Sequence, residues 1–108
     1  MKINGREVGF AWTAGAFVDY NDWIVRNASS SVVRAKIQRA VIMQAEYNRI
    51  HKDSTKALTI DEIRDLPVYD LEDLFSETDR IVETDGKRQV ETKEPKEKNA
   101  KSTAEKSN

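Results

Sequence analysis

Cysteine is absent from this chain of 108 residues, and histidine occurs once, as His51. Disulfide staples, thiolate zinc sites and cysteine nucleophiles are therefore excluded, and a reducing compartment fits the composition. A lone histidine at the expected end of a helix, beside Lys52, reads as a partner for the helix dipole rather than as a catalytic base. No apolar run approaches the ~20 residues of a membrane span and the N-terminus lacks a signal-peptide core, so a cytoplasmic location and no membrane contact are expected. The phosphate-cradling glycine loops and the nucleophile elbow are missing as well. No enzymatic activity, cofactor or metal is expected. With a net charge of −1, the chain is not expected to bind nucleic acid in bulk.

What is present is charge, sorted along the chain. Residues 61–85 carry ten carboxylates (Asp61, Glu62, Asp65, Asp70, Glu72, Asp73, Glu77, Asp79, Glu83, Asp85) against Arg64 and Arg80. Residues 26–56 have the opposite bias, with Arg26, Arg34, Lys36, Arg39, Arg49, Lys52 and Lys56 against Glu46 and Asp53. Residues 87–108 hold only Val90 and two alanines as apolar side chains. Such a segment buries too little surface to offset its ordering entropy and reads as a disordered charged tail. The folding unit is then residues 1–86, a domain small enough that a partner or weak self-association would supplement its stability.

The local signals predict a mainly α fold: a small N-terminal β-hairpin followed by about four helices in one compact domain. Asn4-Gly5 tolerates the positive φ angles of a two-residue hairpin turn. Beyond it Val8, Phe10 and Trp12 alternate with small residues, as on one face of a strand. Thr13 is placed to cap a helix to about residue 26, with Ala16, Phe17, Tyr20, Trp23 and Ile24 on one stripe. Ser30 or Ser31 caps a second helix to about residue 51, whose expected buried stripe is Val33, Ile37, Ala40, Val41 and Tyr47. Thr59 and Glu62 fit a capping box, with Leu58 and Ile63 at the staple positions. Pro67 is suited to the first position of a last helix that keeps Leu71, Leu74, Phe75, Thr78, Ile81 and Val82 on one face, and Gly86 to its C-cap.

Candidate partner-contacting residues follow from what these stripes leave outside. Five of the eight aromatics fall in residues 10–23, and Trp23 is the type of anchor that interfaces favour, although a plain core role fits it too. Ile42 projects among Gln38, Arg39, Glu46 and Arg49, as an interface knob or an ordinary exposed isoleucine. Glu72, Asp73 and Glu77 lie on an acidic face that either pairs with the basic helix or steers a basic segment of a partner. These carboxylates lack the loop spacing of a calcium site. The two consecutive helices raise a helix-turn-helix reading, but the second opens with Ser31-Val32-Val33, where polar base-reading side chains belong.

Two motifs, Gly9-Phe10-x-Trp12-Thr13-x-Gly15-Ala16-Phe17 and Leu66-Pro67-x-Tyr69-Asp70-Leu71, together with the layout of residues 1–86, resemble tail assembly chaperones of long-tailed phages and prophages. The resemblance implies a non-enzymatic protein that binds the helical tape measure protein, assists the tail tube protein in the host cytoplasm, and is absent from the mature virion. It further implies that a longer, frameshifted product could diverge after Gly86. No binding residue carries over, because no contact motif is matched. A structural phage component (head–tail connector or tube accessory protein) and a small DNA-binding regulator are the alternatives.

Overall fold

The computed structural model describes the backbone of residues 1–53 and 57–93, with side chains up to residue 85. Asn4 and Gly5 take φ angles of 52° and 74°, which closes a two-residue turn between β1 (Lys2–Ile3) and β2 (Arg6–Glu7). The strands pair antiparallel, with Lys2 opposite Glu7 and Ile3 opposite Arg6. β2 ends there, so Val8, Phe10 and Trp12 are not on a strand. The expected alternation nevertheless holds, since all three are buried while Gly9 and Ala11 are half-covered. This extended segment runs along a helix, and the Ala11 N–H donates to the Met43 carbonyl at 3.1 Å. A Cβ on Gly9 would stand 2.4 Å from the Tyr47 ring; glycine is what permits the approach.

Four helices follow. α1 (Ala14–Arg26) starts where the Thr13 hydroxyl accepts from the Ala16 N–H at 3.1 Å. α2 (Val32–His51) starts where Ser31 accepts from the Arg34 N–H, and it ends on Lys52 in the left-handed conformation, φ 51°. α3 (Ile60–Arg64) carries the reciprocal capping box, with Thr59 Oγ1 accepting from the Glu62 N–H at 3.1 Å and Glu62 accepting from the Thr59 N–H at 2.9 Å. α4 runs Val68–Lys93. Its first turn is anchored on the Pro67 carbonyl, which accepts from the Leu71 N–H, so Pro67 stands just outside the helix rather than at its first position.

Gly86 does not end α4; the helix continues through it to Lys93. A glycine inside a helix costs only about 1 kcal/mol relative to alanine, an amount that good helix formers on either side can offset. Residues 94–108 of the expected tail lie outside the described residues.

α2 meets α1, α3 and α4, and the core is assembled on it. Ala40 and Met43 are fully buried against Leu58, Ile63 and Leu74. With neighbours on several sides, more of its circumference is covered than one stripe predicts. Ile42 is therefore half-buried and packed on the core instead of projecting as a knob. The opposite correction applies to Val33. It shares the inward face with Ala40, seven residues on, but lies too near the start of α2 to be covered and is 52% exposed. Phe17 is likewise exposed, touching Trp12 edge-on at 6.1 Å.

A buried polar group holds the connector to this core. The Gln44 side chain accepts from the Leu58 N–H at 2.9 Å and reaches back to the Leu58 carbonyl at 3.4 Å. Gln44→Leu strands both backbone groups and is expected to cost about 1–3 kcal/mol for each one left unsatisfied. Leu74→Ala, which opens a cavity at a fully buried position, is expected to cost about 2–5 kcal/mol. Urea midpoints at constant slope measure both.

Candidate functional site

The expected contact residues divide into those used inside the domain and those left facing outward. Arg39, expected at a partner surface, is buried. Its guanidinium donates to Asp79 on α4 and to Thr78 Oγ1 at 3.4 Å, while its Nε is buried without a partner among the described residues. Lys36 reaches the other oxygen of Asp79 at 3.1 Å and lies 5.6 Å from the centre of the Phe75 ring. Burial works against the Asp79 charge, but hydrogen bonds from Arg39 and Lys36 outweigh it and leave the carboxyl below its usual range. The basic helix and the acidic helix thus meet at Asp79, which stands where α4 faces Lys36 and Arg39.

Glu46 forms the second junction. Thr13 Oγ1 donates to it at 2.5 Å, while Arg49 binds both of its oxygens, at 2.7 and 3.1 Å. The residue that caps α1 is thereby tied to α2, and Arg49, though exposed, is already engaged. Glu62 repeats the pattern on a smaller scale, accepting from Arg6 at 3.1 Å and so linking the hairpin to α3. Glu77 is held by Arg80 through two hydrogen bonds on α4 itself.

Concavities open on the surface among the described residues. A cleft of about 570 Å³ lies between the hairpin, the C-terminal half of α2 and α4, and is lined by Arg6, Phe10, Gln44, Tyr47, Glu77 and Ile81 among others. Glu77 is the expected site residue it contains, and Arg80 holds its carboxyl low. Each described carboxylate whose pKa moves is moved down: Glu7 by the N-terminal ammonium, Glu46 by Arg49 and Thr13, Glu62 by the Thr59 N–H and Arg6, then Glu77 and Asp79 as above. A carboxyl held ionised in this way is a poor proton donor. No group of three or more His, Asp or Glu side chains among the described residues is arranged to hold a metal ion. His51 lies against Tyr47 with ring centres 4.1 Å apart and planes tilted by 36°.

The second concavity, a groove of about 370 Å³, lies where the end of α1, the start of α2 and α3 come together. Trp23, Val33, Ile37 and Ile60 supply its apolar surface, and Arg34 and Arg64 stand at its edge. Of the expected contact residues only Trp23 lies here; Glu72 and Asp73 are exposed on α4, and Arg39, Ile42 and Arg49 do not line the groove. Val33, Ile60, Arg34 and Arg64 were not singled out by sequence. One signal was available for Arg34, which has no acidic residue three or four positions away to pair with on its own helix. No protein-family model matches the chain, and neither a curated protein nor a solved structure does. No helix among the described residues is long and apolar enough to cross a membrane.

The Glu46 junction yields a pH dependence. Hydrogen bonds from Arg49 and Thr13 take its carboxyl from an ordinary 4.5 to about 2. A depressed folded-state value means that the stabilisation is complete above the unfolded value and disappears as pH falls through the folded one. Glu46→Gln is therefore expected to melt lower than wild type at neutral pH, with the gap narrowing from about pH 4.5 down to about pH 2. Thermal melts at stepped pH test this, and a constant gap would contradict it.

Proposed function

We propose that this chain is a non-enzymatic assembly chaperone that holds a helical segment of a partner protein in the α1–α2–α3 groove. The single observation carrying this reading is the groove itself: Trp23, Val33, Ile37 and Ile60 line it between polar side chains such as Asn27, Ser31 and Gln38, and Val33 and Ile60 remain 52% and 42% exposed. An amphipathic helix presents side chains at i, i+3, i+4 and i+7, the pattern that such a groove receives. Inside the domain, Asp79, Glu46 and Gln44 spend their polar groups on joining elements.

The resemblance in residues 1–86 supplies the identity of the partner: the phage tape measure protein, with the tail tube protein as a second client. Reversible hold suits a factor that leaves before the particle is complete. The regulatory DNA-binding alternative gains nothing from α2, since Asp79 occupies Lys36 and Arg39, two of that helix's four Lys and Arg residues.

Co-expression with a tape measure protein tests the proposal. The chain is expected to raise its soluble fraction and co-purify with it. Trp23→Ala, at a half-buried position, is expected to weaken co-purification about tenfold or more, in line with the loss of an interface anchor. Absence of co-purification and of any solubility gain with the wild-type chain would remove the reading.

A further inference from the structure

α4 is 26 residues long, yet it gives the core little. Among the described residues the buried apolar core draws on β1, the extended segment, α1, α2, the connector and α3, and takes only Leu74 from α4. Leu71, Phe75, Ile81 and Val82 pack against that core but stay half-buried. The centre of the contact between α4 and α2 is polar. Buried Thr78 and Arg39 meet there beside Asp79, and the Arg39 Nε finds no partner among the described residues. A buried charge with an unsatisfied N–H leaves part of its desolvation cost unrecovered. Alongside, the cleft of about 570 Å³ parts Glu77 and Ile81 of α4 from Phe10 and Tyr47.

The joint before α4 lets it move as a body. α3 ends with the Leu66 N–H on the Ile63 carbonyl, and Pro67 has no N–H to carry that ladder onward. The Leu71 N–H that opens α4 reaches back only to the Pro67 carbonyl. Elements that bury few apolar side chains open first, as units, while the rest of a domain stays folded. Leu58, Ile63 and Leu66 close the core ahead of the joint, so an opening of α4 spares them. What it uncovers is a face of α2 already shaped for a helix. That face runs Lys36, Arg39, Ala40 and Met43, at the i, i+3, i+4, i+7 spacing of one helical stripe.

We propose that α4 is a displaceable strap: it opens from α2 about Pro67 while the described domain through Leu66 stays folded, and an amphipathic helix of a partner takes its place on α2. α4 itself defines the chemistry of that occupant. Apolar or small side chains stand at i, i+3, i+4 and i+7, as Leu71, Leu74, Phe75 and Thr78 do. A carboxylate follows directly, to meet Lys36 and Arg39 as Asp79 does. Because the opened state is the minor one, the apparent affinity is lowered by its population, and whatever loosens α4 raises it. The α1–α2–α3 groove is a different surface, since Lys36, Arg39, Ala40 and Met43 are not in its lining. The displacement of α4 does not rest on client binding in that groove.

Native-state hydrogen exchange on the full chain tests the opening. Amides of residues 71–82 are expected to share one opening, roughly tenfold or more frequent than the one that exposes residues 40–44 of α2. Ala16→Gly, on α1, is expected to speed exchange in α2 and leave α4 unchanged, because α1 is folded whether the strap is closed or open. A single opening shared by α2 and α4, or equal acceleration of both by Ala16→Gly, overturns the proposal. A fluorescent peptide of residues 66–85, added to the full chain, tests the displacement. Binding is expected, and it is expected to tighten roughly tenfold or more when the chain carries Asp79→Asn, which loosens α4 but keeps Lys36 and Arg39. If that variant does not fold, Phe75→Ala in the chain loosens α4 in its place, with the same expected gain. Asp79→Lys in the peptide is expected to weaken binding roughly tenfold or more. Trp23→Ala in the chain is expected to leave it unchanged. No binding to either chain, binding indifferent to the loosening of α4 and to the peptide's charge, or binding lost with Trp23→Ala overturns the proposal. Neither measurement uses a tape measure protein, so displacement of α4 and client capture in the groove can fail separately.

Discussion

The hydrogen-bonded pairing of Gln44 with Leu58 is the contact on which the rest of the arrangement leans. α2 touches all three other helices, and Gln44 is the point where the chain returns to it after the connector. The side-chain amide offers a donor and an acceptor, which is what a peptide unit requires when it is removed from water. By satisfying both groups of Leu58, Gln44 lets that side chain enter the core at 2% exposure. Burial of Leu58 in turn places Thr59 at the start of α3 and fixes how Ile63 and Leu66 close the core. A hydrophobic residue in place of Gln44 would pack in the same volume but leave the returning backbone without partners.

The polar groups of α2 perform two kinds of task. Gln44, Glu46, Lys36 and Arg39 are turned toward neighbouring elements: Gln44 toward the connector, Glu46 toward the start of α1, and Lys36 and Arg39 together toward α4. Arg34 is not, and it is the member of the basic series that stands beside open apolar surface. This division matters more for function than the gross segregation of charge. The acidic helix and the basic helix meet at Asp79, while Glu72 and Asp73 on the first turns of α4 face outward. Surface charge of this kind contributes little to stability but much to the choice and approach of partners.

Much of the local structure was legible because it is encoded over three or four residues. The Asn4-Gly5 turn, the Thr13 and Ser31 caps and the Thr59–Glu62 box each depend on a side chain and a backbone group within one helical turn. Long-range satisfaction was not legible. Nothing near Arg39 in the chain indicates that Asp79, forty residues later, will bury it, and nothing near Gln44 points to Leu58. Periodicity also assigns faces without saying where along a helix coverage stops, which is why Val33 was placed inside and lies open. The groove escaped notice for the same reason: it is made from the ends of α1 and α2 and a five-residue helix, and no single element contains its pattern. Gly86 misled in the other direction, because a strong local stop signal was outweighed by the helix-forming residues beyond it.

The continuity of α4 through Gly86 makes this helix a rod of about 39 Å, at 1.5 Å per residue, and lays its charge out along one line. Its first eighteen residues contain Asp70, Glu72, Asp73, Glu77, Asp79, Glu83 and Asp85 against Arg80. Asp70 stands in the first turn, where negative charge compensates the helix's own partial charge. In a field such as that of another charged protein, a rod so charged is steered before it touches.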